Sequence, residues 1–119
     1  DVLESELLTE AEALAQTLGL PGLPNGRPAL QPTMTLQLCQ WLRVLLGPSE
    51  MWLLECPCHG LDEGARERVL RHLALRRQQG TAALWFTDSV ADLRLPGLQP
   101  SACLQLRDQH LLPLDLAST

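Results

Sequence analysis

The 119-residue sequence contains no lysine and no tyrosine, so all 9 of its basic residues are arginines. The 14 acidic residues outnumber them and give a formal net charge of -5. Because binding to nucleic-acid phosphates needs a surplus of basic side chains, this balance argues against nucleic acid as a partner.

Long apolar runs and regularly spaced cysteines are also absent. No stretch approaches the roughly 20 apolar residues of a membrane-spanning helix, and the acidic amino terminus does not resemble a signal peptide. The four cysteines, at positions 39, 56, 58 and 103, are not arranged as a disulfide framework. We therefore expect reduced thiols and a cytoplasmic protein. A chain of this length supports one core, which predicts a single domain over residues 1–119.

Two segments before residue 48 have apolar residues at every third or fourth position, the spacing of an amphipathic helix. They predict helices over Val2–Leu18 and Thr35–Leu46, with a proline- and glycine-rich loop over residues 20–32 between them. Residues 1–47 thus form a predicted helical part, and residues 48–119 a predicted α/β part.

The stretch from Met51 to Asp62 organises the second part. A short apolar run over Met51–Leu54 predicts a strand buried on both faces, and it ends on the acidic residue Glu55. The turn that follows closes on Asp62, which is a predicted N-cap for a helix over Glu63–Gln79.

A second apolar run over Thr81–Thr87 predicts another buried strand, parallel to the first and reached by a right-handed crossover. A helical turn is predicted over Ser89–Leu93, and an antiparallel hairpin over residues 102–106 and 110–114. The predicted fold class is α/β, with a partial parallel sheet, flanking helices and a C-terminal β-hairpin.

The order of these motifs resembles the second half of an ATP-binding-cassette (ABC) ATPase domain, the motor domain of ABC transporters. Leu53-Leu54-Glu55-Cys56-Pro57 corresponds to the Walker B strand, and Gly60-Leu61-Asp62 to the D-loop turn. Gly80 to Thr87 matches the strand before the switch histidine, and residues 43–50 resemble the end of the signature helix. The resemblance implies a P-loop NTPase-like sheet.

Several groups that grip and cleave nucleotide in that family are replaced. Cys56 stands where the family has its catalytic glutamate, and Asp88 where it has the switch histidine. The signature position falls on residues 31–35, which lack the glycine pair that lets a backbone approach a phosphate. No Gly-x-x-x-x-Gly-Lys-Ser/Thr phosphate loop is present in the sequence. We therefore predict no catalytic residue and no ATP hydrolysis by this chain alone.

Two acidic residues remain candidates for binding a cofactor. The resemblance places Glu55 at the position that helps to hold magnesium, and Asp62 in the turn that faces the partner domain. ATP and magnesium are expected only if a partner supplies the phosphate loop. An exposed acid at a strand end is an equally good interpretation of Glu55, and Asp62 is a helix cap first.

The implied function is that of a non-catalytic or weakly active nucleotide-binding-domain half in a membrane transport complex. Its expected partners are another ABC ATPase domain or the missing N-terminal half, and a membrane permease subunit at the cytoplasmic face. An alternative is the C-terminal fragment of a complete ATP-binding subunit. Because a partial sheet leaves apolar faces uncovered, the isolated chain is expected to self-associate or to need a partner.

Cys56-Pro57-Cys58-His59 suggests a different function, an interaction module with a thiol- or metal-responsive cysteine pair. The motif supplies at most three zinc ligands at poor spacing, so structural thiols are favoured. The remaining notable residues have structural interpretations. We predict that Trp41, Trp52 and Trp85 lie in the core. The arginines of the third helix are predicted to form a solvated face: Arg66, Arg68, Arg71, Arg76 and Arg77.

Overall fold

The computed structural model describes residues 2–22, 32–48 and 50–117. In chain order its elements are α1 (Val2–Thr17), α2 (Thr33–Leu46), β1 (Met51–Glu55), α3 (Glu63–Gln78), β2 (Ala82–Phe86), α4 (Val90–Leu93), β3 (Leu104–Arg107) and β4 (His110–Pro113). Strands β1 and β2 pair in parallel, and β3 and β4 form an antiparallel hairpin. The predicted α/β class, with its parallel strands and closing hairpin, is confirmed.

Helix α2 begins two residues earlier than the sequence pattern predicts. The amide of Leu36 donates to the carbonyl oxygen of Pro32 at 3.0 Å, so the first turn closes at Thr33. Residues 33–35 of the predicted signature position therefore belong to a helix. Gln31 and most of the predicted loop, residues 23–31, lie outside the described part of the chain.

The core lies between helices α1, α2 and α3 and one face of the β1–β2 sheet. The four α3 residues predicted to point inward are all buried: Ala65, Val69, Leu70 and Leu73. Trp41 and Trp52 are buried as predicted, and Trp85 is partly buried against the same core. Apolar burial along α3 therefore ties the helical part to the sheet.

The two parallel strands are buried on one face only, so the prediction of strands buried on both faces is wrong. In β1, Trp52 and Leu54 point into the core, whereas Leu53 is 69% exposed. In β2, Leu84 and Phe86 are 47% and 54% exposed. The apolar runs suggested burial on both faces, but the described helices cover one face and leave the other in solvent.

The prediction of a solvated arginine face on α3 is wrong for three of its members. Arg68, Arg76 and Arg77 donate hydrogen bonds to backbone carbonyls of other segments, namely Leu18, Leu45, Gly47 and Leu98, at 2.7–3.4 Å. The last carbonyls of a helix have no partner within the helix, and α1 and α2 both end beside α3. Arg68 and Arg76 therefore supply donors to carbonyls at the ends of α1 and α2.

No helix in the described ranges is long and apolar enough to cross a membrane.

Candidate functional site

The carboxyl ends of β1 and β2 lie at the same edge of the sheet. Glu55 is paired in register with Phe86, and the amide of Cys56 donates to the carbonyl oxygen of Phe86 at 2.7 Å. The residues that leave the two strands, Cys56 and Asp88 among them, therefore emerge at one edge. This is the placement that the sequence pattern predicts for the chemistry of an α/β fold.

The chain reverses sharply after β1. Cys56 adopts a positive φ of 42°, a region that few residues other than glycine occupy. The amide of His59 then donates to the carbonyl of Cys56 at 3.0 Å, which closes the turn. Gly60 has φ 77°, and a Cβ at this position would lie 2.8 Å from Cγ2 of Thr33. Gly60 is required both by its backbone angle and by the close approach of α2.

Helix α2 holds this turn through the carbonyl groups of Cys56 and Pro57, and Gln37 Nε2 lies 3.4 Å from the Cys56 oxygen. The side-chain amide of Gln37 and the indole Nε1 of Trp41 each donate to the carbonyl oxygen of Pro57, both at 2.7 Å. A carbonyl oxygen has two lone pairs, so the two donors satisfy it fully. Sequence reasoning placed Trp41 in the core but missed this polar role, because nothing in the spacing links residues 16 positions apart.

Asp62 is the N-cap of α3, as predicted. Its carboxylate oxygen Oδ1 accepts a hydrogen bond from the amide of Ala65 at 2.8 Å. Glu55, the other candidate for binding nucleotide or magnesium, is exposed at the end of β1. The structure therefore gives Asp62 a structural role and leaves Glu55 accessible.

The segment after β2 is organised by Thr87 rather than by Asp88. The Thr87 hydroxyl donates to the carboxylate of Asp92 at 2.9 Å and accepts from the amide of Ser89 at 3.1 Å. These bonds connect the end of β2 to α4. Asp88 itself is exposed.

Cys58 is poorly suited to nucleophilic chemistry. Burial, reinforced by the negative charge of Asp92 and opposed by Arg66, raises the pKa of its thiol to about 11. The thiolate, the form that attacks electrophiles, is therefore scarce at neutral pH. Within the described residues, no group of three His, Cys, Asp or Glu side chains could hold a metal ion.

Comparison with known proteins finds no matching family model, no matching curated protein and no matching solved structure.

The outer face of the β1–β2 sheet is apolar and exposed. We call it the open face and define it by four residues: Met51, Leu53, Leu84 and Phe86, which are 53%, 69%, 47% and 54% exposed. Leu53 and Leu84 are register partners on this face, and Phe86 is paired with Glu55, whose exposed side chain borders the apolar residues at the carboxyl end of the strands. Apolar patches of this kind mark interaction surfaces, and parallel sheets are normally covered on both faces.

Proposed function

We propose that this chain is a non-catalytic ABC-type nucleotide-binding-domain half that acts as a partner or regulatory part of a membrane transport complex. The observation that carries the proposal is the open face of the parallel β1–β2 pair. The order of strand, turn, helix and strand in this part of the chain resembles that of the ABC ATPase core. Helices from a partner would cover this face, as in other parallel sheets.

The size of the described sheet supports a role as part of a larger assembly. Within the described residues, β1 and β2 make a two-stranded parallel sheet. Parallel strands normally have helices on both faces, whereas the described helices cover one face of this sheet. The N-terminal half of an ABC ATPase domain, on the same or on another polypeptide, would supply the missing cover.

The residues at the carboxyl edge of the sheet support a role that does not include ATP hydrolysis by this chain. The carboxylate of Asp88 would repel a γ-phosphate, and the Cys56 thiol is a poor general base at neutral pH. With no lysine in the sequence, the chain also lacks the side chain that reaches the β- and γ-phosphates in a phosphate loop.

Glu55 provides the one contact with nucleotide that this function would retain. It is exposed at the end of β1, and carboxylate oxygens are ligands that magnesium prefers. A magnesium ion carried on phosphates bound by a partner could take Glu55 as a ligand. Such a complex would form at the cytoplasmic face of the membrane, next to a permease subunit and another ABC ATPase domain.

The alternative of a thiol- or metal-responsive module is less well supported, because Cys58 is buried and the described part of the chain holds no group of three His, Cys, Asp or Glu side chains that could bind a metal ion.

The proposal is tested by identifying what the tagged full chain captures from membranes of its native cells. We expect mass spectrometry to identify a captured protein with a Gly-x-x-x-x-Gly-Lys-Ser/Thr loop, and Leu53→Asp in the open face to abolish the capture. Leu106→Asp is the matched control, because Leu106 is 72% exposed but lies on the hairpin. Equal recovery with Leu53→Asp, or recovery of no such protein, would contradict the proposal.

Titration of the purified chain with magnesium-ATP tests the absence of catalysis separately. We expect no saturable heat of binding at millimolar nucleotide and no release of phosphate. Tight binding with turnover by the purified chain would overturn the proposed function.

A further inference from the structure

Helix α1 carries a second exposed apolar surface. Its apolar stripe is buried at Ala11, Ala15 and Leu18, and it continues toward the N-terminus beyond the core. There, Leu7 and Leu8 are 54% and 53% exposed, and Leu3 is 75% exposed. We call Leu3, Leu7 and Leu8 the α1 overhang. The first two turns of the helix thus have an apolar stripe that no described part of the same chain covers fully.

The overhang and the open face are complementary kinds of surface. The faces of parallel sheets are covered by amphipathic helices, because an apolar helix stripe packs well on a flat apolar sheet. Leu3 and Leu7 lie four residues apart and so project from the same side of the helix. The chain therefore carries both an incompletely covered parallel-sheet face and a helix stripe of the kind that covers such faces.

We propose that two copies of this chain associate by seating the α1 overhang of each copy on the open face of the other. The arrangement has two-fold symmetry, so the same helix-on-sheet contact forms twice. Each of the two contacts buries the α1 overhang of one copy against the open face of the other.

The apolar area available approaches what a stable dimer needs. Seven large side chains in the two surfaces are between 47% and 75% exposed. Together they present on the order of several hundred Å² of apolar surface per copy, against about 800 Å² per partner in a standard interface. Flanking residues would supply the remainder. A contact made once would be too small, whereas the reciprocal contact approaches the required area.

This inference does not depend on the proposed function. It concerns the purified chain without another partner, and it holds whether or not a phosphate-loop protein binds the open face in cells. The two tests have different readouts, so one can fail while the other succeeds.

The test begins with the molar mass of the purified chain, measured by sedimentation equilibrium across a range of concentrations. We expect twice the 13.1 kDa of one chain, and a monomer for both Leu7→Asp and Leu53→Asp, because a buried carboxylate without a partner disfavours the contact. Leu106→Asp on the hairpin is the matched control and should stay dimeric. A wild-type monomer at high concentration, or dimers of both variants, would overturn the proposal.

Mixing variants distinguishes helix-on-sheet docking from other dimers. Leu7→Asp and Leu53→Arg are each expected to be monomeric alone. In a mixed dimer, the unchanged helix of the Leu53→Arg copy meets the unchanged sheet of the Leu7→Asp copy. In the second contact, the new aspartate on the helix faces the new arginine on the sheet, so opposite charges are paired. The mixture should therefore dimerise. If it stays monomeric, the copies associate by another route, such as sheet on sheet, and the proposal is wrong.

Circular dichroism verifies that each variant is folded. If one of them unfolds, Leu8→Asp replaces Leu7→Asp, and Leu84→Asp or Leu84→Arg replaces the corresponding Leu53 variant. These positions lie on the same two surfaces, so the same outcomes decide the proposal.

Discussion

The indole Nε1 of Trp41 in α2 donates a hydrogen bond of 2.7 Å to the carbonyl oxygen of Pro57, in the turn that follows β1. Trp41 is only 2% exposed, so the bond forms in a water-excluded environment. It joins the helical part of the chain to the end of the sheet where the candidate site lies. The position of the Cys56–His59 turn therefore depends on α2.

Replacing Trp41 by Phe should destabilise the protein by about 2 kcal/mol, because it deletes a buried donor and leaves a small cavity. The free energy of unfolding from a urea titration measures this loss. Gln40→Ala is the matched control, since Gln40 is exposed on the same helix. It should change stability by less than about 0.5 kcal/mol. Equal effects of the two substitutions would show that the hydrogen bond contributes nothing.

Arg76 should be the arginine of α3 that contributes most to stability. Its guanidinium donates to the carbonyls of Leu45 and Gly47 at 2.8 and 3.4 Å, and lies 5.0 Å from the ring centroid of Trp52. Replacement by Met keeps an apolar stem but removes these interactions, which should cost about 1–3 kcal/mol in a urea titration.

Arg71→Met provides the control for Arg76→Met, because Arg71 is exposed on the same helix. We expect it to have little effect. A similar loss of stability in both variants would mean that the result reflects the general electrostatics of α3 and not the contacts of Arg76.

Asp62→Ala should shorten or fray the start of α3. It removes the carboxylate that accepts from the amide of Ala65, and loss of an N-cap costs about 1 kcal/mol. Asp62→Asn keeps a side-chain acceptor and should recover most of that energy. Thermal unfolding followed by circular dichroism compares the two variants. If Asp62→Asn is as unstable as Asp62→Ala, the negative charge matters more than the hydrogen bond.

Stability should fall at alkaline pH because of Cys58. The pKa of its thiol is about 11 in the folded protein against an ordinary value of 9.0, so the folded state favours the protonated form. The resulting stabilisation is complete below pH 9 and is lost as the pH rises toward 11, by about 2 kcal/mol in total.

Urea titrations between pH 8 and 11 measure how the free energy of unfolding changes with pH. Few other side chains of this sequence titrate in that range, so the slope reports mainly on the cysteines. The sequence contains neither lysine nor tyrosine, the side chains that ordinarily titrate near pH 10. Cys58→Ala should flatten most of the slope. Burial also raises the pKa of Cys39, so Cys39→Ala should remove a further part. An unchanged slope in the Cys58→Ala variant would contradict the assignment.

Local features were predictable where neighbouring residues decide the structure. The helical spacing of leucines predicted α1 to within a residue, and Asp62 before an amphipathic run predicted the cap of α3. The order of strand, helix and strand predicted the parallel pairing of β1 with β2. Each of these follows from the periodicity of the backbone and from the hydrogen bonds that helix ends require.

Long-range features were not predictable from spacing. The sequence does not indicate that Arg76 reaches carbonyls of α2, or that Trp41 donates to Pro57, because these contacts join residues 16 to 31 positions apart. The apolar runs of β1 and β2 are typical of strands covered on both sides, yet the fold covers one side and exposes Leu53 and Phe86.

The sequence by itself therefore determined the elements of this protein and their order. Only the tertiary structure decided which faces are buried and which carbonyls the arginines satisfy. The reason is that local periodicity acts within a few residues, whereas burial depends on which distant segments pack against each face. The open face is one of the features that only the tertiary structure decided.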